Sequence, residues 1–169
     1  MIDISHPSKD SIMQTLERSR APVIAAHSSA RALTNHSRNL DDEMLLALKE
    51  NGGVAQTVAF GTYVSELRRA HWASGASFAD APPATVSDFV DHIEYMIDLI
   101  GIEHVGISSD FDGGGGLSGW NDASETFNVT AELVRRGYNE EQIAMMWSGN
   151  LLRVVDDVQR IAQEIQQEA

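Results

Sequence analysis

Two histidines and an aspartate are the residues of this sequence best suited to chemistry. His6, His27 and Asp110 each follow closely on a short apolar run of the kind that forms a buried strand. Imidazole nitrogens and carboxylate oxygens both bind zinc, and a catalytic zinc usually takes three protein ligands and leaves one position open. His6 and His27 would supply two ligands. Asp110 could then complete the shell or act as a general base beside the metal.

A second interpretation of these histidines is purely structural. A histidine at the end of a strand is often satisfied by a backbone carbonyl rather than by a metal ion. Two histidines on successive strands, with an aspartate after a later one, raise the case for a site. Their spacing alone leaves both interpretations open.

Two further residues allow opposite interpretations. Arg38 lies in a polar loop eleven residues after His27, where it either grips a substrate carboxylate or is an ordinary surface arginine. His92 lies among Asp91 and Glu94 on a predicted helix, and we expect it to be exposed to solvent.

Composition narrows the classes of function. The chain has 169 residues and a net charge of −13, from 25 acidic and 12 basic residues. That balance argues against binding nucleic acid or an anionic membrane through a basic face. The absence of cysteine excludes disulfides and thiolate ligands, so a metal would have to use His, Asp or Glu. We find no apolar run of the roughly 18 residues that a membrane span needs, and no signal peptide, and therefore expect a cytoplasmic location.

Apolar periodicity predicts four repeats of strand and helix. We predict strands at 2–5, 23–26, 54–58 and 104–108, and helices at 9–18, 41–50, 63–72, 88–100, 124–136, 139–147 and from 150 to the C-terminus. Ser87 is the predicted cap of the helix at 88–100, residues 75–83 a loop, and residues 148–150 a turn between the last two helices.

This alternation predicts an α/β fold with about four parallel strands and flanking helices, in a single domain spanning 1–169. A closed (β/α)8 barrel needs about 250 residues, so the chain fits either half of such a barrel or a small open sheet. Both arrangements bring the carboxyl ends of the strands to one edge, where active sites of parallel α/β folds lie.

Four segments resemble the C-terminal half of the membrane dipeptidase (renal dipeptidase) family of zinc peptidases. They are "IDISHPS", "APVIAAHSSARALTNHSRNLDDEML", "HVGISSDFDG" and "SGNLLRVV", in the family's order and across essentially the whole chain. The resemblance implies the C-terminal half of a (β/α)8 TIM-type barrel, a site for two zinc ions and hydrolysis of dipeptides. It also implies that His6 and His27 bind the second zinc, that Arg38 holds the substrate carboxylate and that Asp110 handles protons.

The resemblance also implies that part of the site lies outside this sequence. The family's N-terminal half carries a His-x-Asp pair, a bridging glutamate and a further histidine, and this chain has no His-x-Asp pair. We therefore expect self-association or a missing N-terminal half as the partner. The rival interpretation is a catalytically inactive half-barrel that at most binds a metal weakly or serves as an assembly part.

Overall fold

The computed structural model describes residues 1–77 and 80–168 and confirms an α/β fold with parallel strands and flanking helices. The strands are β1 (Ile24–Ala25), β2 (Val54–Val58) and β3 (Val105–Ser108). The α-helices are α1 (Lys9–Arg18), α2 (Asp42–Asn51), α3 (Gly61–Val64), α4 (Glu66–Ala73), α5 (Val86–Ile100), α6 (Phe127–Arg135), α7 (Glu140–Ala144) and α8 (Asn150–Glu168). Short 3-10 turns occupy Ile102–His104, Phe111–Gly113 and Ala123–Glu125, and a π-helical turn occupies Met145–Gly149.

The three strands form one parallel sheet in chain order, with β2 in the centre. Ala55 of β2 is in register with Ala25 of β1 and with Val105 of β3. These three side chains share one face and lie in the main core, which the helices build. The opposite face carries Ile24 and Val54, which pack against α8 in a separate small cluster.

The C-terminal helix α8 lies across the amino-terminal ends of the strands. Asn150 at its start donates hydrogen bonds to the carbonyls of Ile102 and Val105, at 2.7 and 2.8 Å. One turn on, Arg153 donates to the carbonyls of Gly52 and Glu103, which precede β2 and β3. The helix thus closes this end of the sheet and leaves the carboxyl ends open. Within the described ranges, no helix is both long and apolar enough to cross a membrane.

The predicted first strand is much reduced. Residues 2–5 form a single parallel bridge, between Asp3 and Ile24, instead of a strand. Two backbone hydrogen bonds support it: Ile4 N–H donates to Ile24 O at 2.8 Å, and Ile24 N–H donates to Ile2 O at 3.0 Å. The ladder stops there because the next contacts between the two segments are made by the side chains of Asp3 and Ser5.

Several predicted boundaries were wrong, including those of the helices predicted at 124–136 and 139–147, and two others have a clear local cause. The helix predicted at 63–72 is two helices, α3 and α4, because Ser65 adopts an extended backbone and caps α4 with its side chain. The turn predicted at 148–150 is instead the end of the π-helical turn, through which α7 runs into α8. Two residues of the predicted loop at 75–83, numbers 78 and 79, lie outside the described residues.

The N-terminus of α5 is capped by Thr85 rather than by the predicted Ser87. The Thr85 hydroxyl accepts a hydrogen bond from Asp88 N–H at 3.2 Å, and the Asp88 carboxylate accepts one from Thr85 N–H at 2.7 Å. This reciprocal capping box satisfies two backbone donors that the helix itself leaves without partners. Ser87 lies in the first turn, where its hydroxyl is hydrogen-bonded to Arg136.

We expect Thr85→Ala to lower the free energy of unfolding by about 1 kcal/mol, because it removes the side-chain acceptor of the cap. Urea unfolding measures this change, and Thr85→Ser, which keeps the hydroxyl, is the matched control. Equal losses in the two variants would show that the hydroxyl does not cap α5.

Candidate functional site

His6 and His27 meet at the carboxyl edge of the sheet. His6 follows the bridged segment at 2–4, and His27 follows β1, so the parallel pairing brings both side chains to the same edge. Their Nε2 atoms lie 2.8 Å apart, and the ring centroids lie 4.8 Å apart with the planes tilted by 57°. Both histidines retain solvent-accessible surface. The structure therefore places two nitrogen donors facing one point in an accessible position.

The chemistry of this pair fits part of a zinc shell. Two imidazole nitrogens bound to one tetrahedral zinc at ~2.0–2.1 Å would lie about 3.3 Å apart, so the 2.8 Å pair would have to open by about 0.5 Å to hold the ion. Without an ion, the same pair is a hydrogen bond in which one imidazole donates to the other. In the part of the chain that the structure describes, no group of three or more His, Asp or Glu side chains converges as a metal site would require. Among these residues the pair supplies two candidate ligands, fewer than a complete shell.

Asp3 is hydrogen-bonded to Ser5 and Ala26, the residues that precede the two histidines. Burial raises the pKa of its carboxyl group, but hydrogen bonds from Ser5 and from Ala26 N–H outweigh that effect, with a further contribution from His27. The net pKa of Asp3 is below its ordinary value, which keeps the group ionised at neutral pH.

Arg38 lies beside His6 and forms no ion pair with any residue of the described ranges. Its Nε–H donates to the carbonyl of Ser5 at 3.1 Å, and its guanidinium carbon lies 5.8 Å from the centre of the Tyr63 ring. Its Nη2, like the Nε of Arg31, is buried without a hydrogen-bond partner in the described part of the chain. Arg38 and His6 both line a cavity of about 370 Å³, together with Lys9 and Arg31. A guanidinium in this state is suited to binding a carboxylate through paired hydrogen bonds.

The loop that carries Arg38 is organised by two buried residues that the sequence interpretation missed. Asn39 is buried, and its amide donates to the carbonyls of Thr34 and Tyr63 at 2.9 and 2.8 Å. His92 of α5 is buried, not exposed as predicted, and its Nδ1 accepts a hydrogen bond from Ala30 N–H at 3.1 Å. The sequence did hold a signal for His92, which lies three and four residues from Phe89 and Met96 on the apolar face of α5.

Burial lowers the pKa of His92 to about 4, while a hydrogen bond with the Val64 backbone and the charges of Asp91 and Asp88 oppose the shift. Because Nδ1 accepts from a backbone N–H, the single imidazole proton is on Nε2, which faces the Thr34 hydroxyl at 3.3 Å. Protonation of Nδ1 would place two donors opposite each other in a buried site. The neutral imidazole is thus the form that holds the loop.

Asp110 reaches the same edge but does not contact the histidines. It follows β3, and one strand, β2, separates β3 from β1, so it lies about 10 Å from the His27 strand at ~4.8 Å per strand. Asp110 has a left-handed backbone, with φ of 52°, and its carboxylate lies against Gly113, where a Cβ would come within 2.3 Å of Oδ1. None of the described hydrogen bonds joins Asp110 to His6 or His27.

Comparisons with known proteins agree on one family. The sequence model of the membrane dipeptidase family (peptidase family M19) matches residues 1–169. The chain is 37% identical to dipeptidase aclJ of Aspergillus oryzae over 98% of its own length and 36% of that protein. A crystal structure of the probable dipeptidase PvdM from Pseudomonas aeruginosa matches with a TM-score of 0.85 and 35% identity, over 95% of this chain and 50% of that one.

A second solved structure is a metallo peptidase from Rhodobacter sphaeroides, liganded with a phosphinate mimic of the dipeptide L-Ala-D-Ala. It matches with a TM-score of 0.80 and 27% identity, over 93% of this chain and 42% of that one. The chain therefore spans about a third of the length of the curated relative and about half or less of each solved structure.

The buried His92 predicts a loss of stability in acid. Between pH 6.5 and about 4 the unfolded chain binds a proton at this histidine and the folded chain does not, so the free energy of unfolding falls as the pH drops through this window. The loss approaches roughly 3 kcal/mol at 1.36 kcal/mol per pKa unit. Urea unfolding at a series of pH values measures it.

We expect His92→Gln to flatten this pH dependence. His71→Gln, which replaces a histidine hydrogen-bonded to the Ser77 backbone on the surface, should retain it. A His92→Gln variant with the wild-type pH dependence would contradict the buried, neutral state of His92.

Proposed function

We propose that this chain, which belongs to the membrane dipeptidase family (peptidase family M19), supplies part of a zinc-dependent site that hydrolyses dipeptides. The observation that carries the proposal is the 2.8 Å approach of the His6 and His27 Nε2 atoms at the open edge of the sheet. The family's relatives that match are dipeptidases, which supports peptide hydrolysis as the reaction.

His6 and His27 are the residues that would hold the metal. Neutral imidazole is a preferred zinc ligand, and both rings are accessible from the carboxyl edge. When bound, zinc polarises a carbonyl group and lowers the pKa of a water molecule so that it can attack. We propose two ions for the complete site, with the remaining ligands supplied from outside the residues described above.

Arg38 would orient the substrate. Its guanidinium lines the cavity next to His6 and has no acidic partner among the residues that the structure describes. A dipeptide carboxylate bound there would offset the cost of the unpaired buried Nη2. Fixing the terminal carboxylate also fixes the distance from that carboxylate to the scissile bond. This orientation favours the reaction because the reacting groups no longer have to find each other.

Asp110 would transfer protons from the opposite side of the substrate. Its position, two strands from His27, leaves it on the far side of a substrate held over the edge of the sheet. A carboxylate in this place can accept a proton from the attacking water and return one to the leaving amine.

The same proposal gives the chain a complementary partner. We propose that the sheet is the C-terminal half of a (β/α)8 barrel and pairs with further strands along the bridged segment at 2–4. Met1 and Ile2 support this, because they are 59% and 48% exposed at that edge. An unpaired strand edge with exposed apolar side chains pairs readily with another chain, including a second copy of the same chain.

A second candidate function is assembly without catalysis. It is favoured by the convergence of only two metal-ligating side chains among the described residues. In that case the chain would bind a metal weakly at His6 and His27 and would not turn over dipeptides.

The metal site is tested by titrating metal-free chain with zinc in competition with a coloured chelator. We expect about one zinc ion per chain and a loss of affinity of at least about 10-fold in His27→Ala, because one of two imidazole ligands is removed. His71→Ala is the matched histidine control and should bind as the wild type does. Equal zinc affinity in His27→Ala and the wild type would contradict the assignment.

Hydrolysis of a dipeptide by the zinc-loaded chain separates the two candidate functions. Turnover that is lost in Arg38→Met supports the enzyme, since that side chain keeps the length and loses the charge. Zinc binding without turnover supports the assembly part.

Self-association is tested by sedimentation over a range of concentrations. We expect the wild type to form dimers or larger species, and Ile2→Lys to shift the chain towards the monomer by placing a charge on the exposed edge. Val134→Lys, at an exposed position on α6, is the control and should behave as the wild type does. A wild-type chain that remains monomeric throughout would contradict an open pairing edge.

A further inference from the structure

One carboxylate oxygen connects the two segments that carry the histidine pair. Asp3 Oδ1 accepts hydrogen bonds from Ser5 N–H at 3.0 Å and from the Ser5 hydroxyl at 2.6 Å. The same oxygen accepts a third bond, at 3.0 Å, from Ala26 N–H, the residue before His27. Ser5 is itself the residue before His6, so the carboxylate holds the neighbour of each histidine.

The Ser5 hydroxyl completes the connection. While donating to Asp3, it accepts a hydrogen bond from the backbone N–H of His27 at 3.1 Å. Ser5 is 5% exposed, so its hydroxyl is largely shielded from water that would compete for these bonds. Two successive hydrogen bonds, from Ser5 to Asp3 and from His27 to Ser5, therefore form a polar chain that connects the two segments.

This polar chain begins where the backbone ladder stops. The bridge of Asp3 with Ile24 is the one parallel bridge described between the two segments, and β1 itself has only two residues. Beyond it, main-chain pairing no longer determines the separation of His6 and His27. A charged acceptor bonded to both segments takes over that task, because hydrogen bonds to a carboxylate are stronger than those between neutral groups.

We propose that Asp3, acting through Ser5, is the positioning residue that sets the separation of the His6 and His27 rings and so the metal affinity of the pair. The proposal rests on the proposed function in one respect, that these two histidines hold the metal. Outer hydrogen-bond partners that orient ligating side chains typically change metal affinity by about 10–100-fold when they are removed.

Four variants test the proposal. Asp3→Ala removes the acceptor, and Ser5→Ala removes the link to His27 while leaving the carboxylate in place. Asp3→Asn is the conservative variant, because its amide oxygen still accepts hydrogen bonds. Asp10→Ala removes an exposed carboxylate from the first turn of α1 and controls for the loss of one negative charge.

Two measurements are made on each variant of the full chain. The first is zinc affinity by chelator competition. The second needs no metal: nuclear Overhauser contacts between the ring protons of His6 and His27, in samples shown to be folded by amide spectra. We expect Asp3→Ala and Ser5→Ala to weaken zinc binding by about 10–100-fold and to lose the ring contacts. Asp3→Asn should restore most of both signals, and Asp10→Ala should leave both unchanged.

Wild-type zinc affinity and wild-type ring contacts in Asp3→Ala would overturn the proposal. If Asp3→Ala does not fold, zinc affinity and ring contacts are compared between Ser5→Ala and the wild type, and wild-type values of both in Ser5→Ala would overturn the proposal. If the wild type binds no zinc, the proposed function fails, and the ring contacts still decide whether Asp3 positions the histidines.

Discussion

Parallel pairing is the constraint on which the whole site depends. Because β1, β2 and β3 run in the same direction, all their carboxyl ends lie at one edge, and a residue that follows a strand is delivered there. His6, His27 and Asp110 are far apart in the sequence and share this edge for no other reason. The helix α8 strengthens the asymmetry, since it closes the amino-terminal ends through Asn150 and Arg153 and leaves the opposite end accessible.

Polar side chains hold this edge together where backbone hydrogen bonds between the segments end. Asp3 and Ser5 extend the pairing of the first segment with β1, and Asn39 and His92 hold the loop that carries Arg38. Buried polar groups are costly unless they are satisfied, and the three buried ones among these, Ser5, Asn39 and His92, all form hydrogen bonds. Arg38 and Arg31 differ, because the buried Nη2 of the first and the buried Nε of the second have no hydrogen-bond partner among the described residues. The cavity beside His6 is therefore lined by two arginines that each keep a donor without a described acceptor, and such buried donors call for an explanation.

Apolar periodicity predicted the bounds of some helices and strands, but it failed where hydrogen bonds of side chains determine where an element ends. The bounds of α1 and β2 match the prediction, since α1 has helical apolar spacing behind the Ser8 cap and β2 is a short, largely buried run. The first strand was predicted too long, because Asp3 and Ser5 join the segments through their side chains. The cap of α5 was assigned to Ser87 because the Thr85–Asp88 capping box was overlooked, although both residues are visible in the sequence.

The candidate site was partly predictable, because it lies at the ends of strands. Strand ends can be recognised from the sequence, so the proximity of His6 and His27 followed from the order of the elements. The placement of His92 did not, because its acidic neighbours suggested solvent while the periodicity of α5 points to the core. Asp110 lies away from the histidines because β2 separates β3 from β1. This strand order cannot be read from any single segment of the sequence.

X-ray absorption at the zinc edge tests the central claim most directly, because it reports the atoms bound to the metal in solution. For the zinc-loaded chain we predict the multiple-scattering pattern of two imidazoles with nitrogen at ~2.0–2.1 Å, and oxygen in the remaining positions. A spectrum with oxygen ligands alone would contradict the claim that His6 and His27 bind zinc at this edge of the sheet.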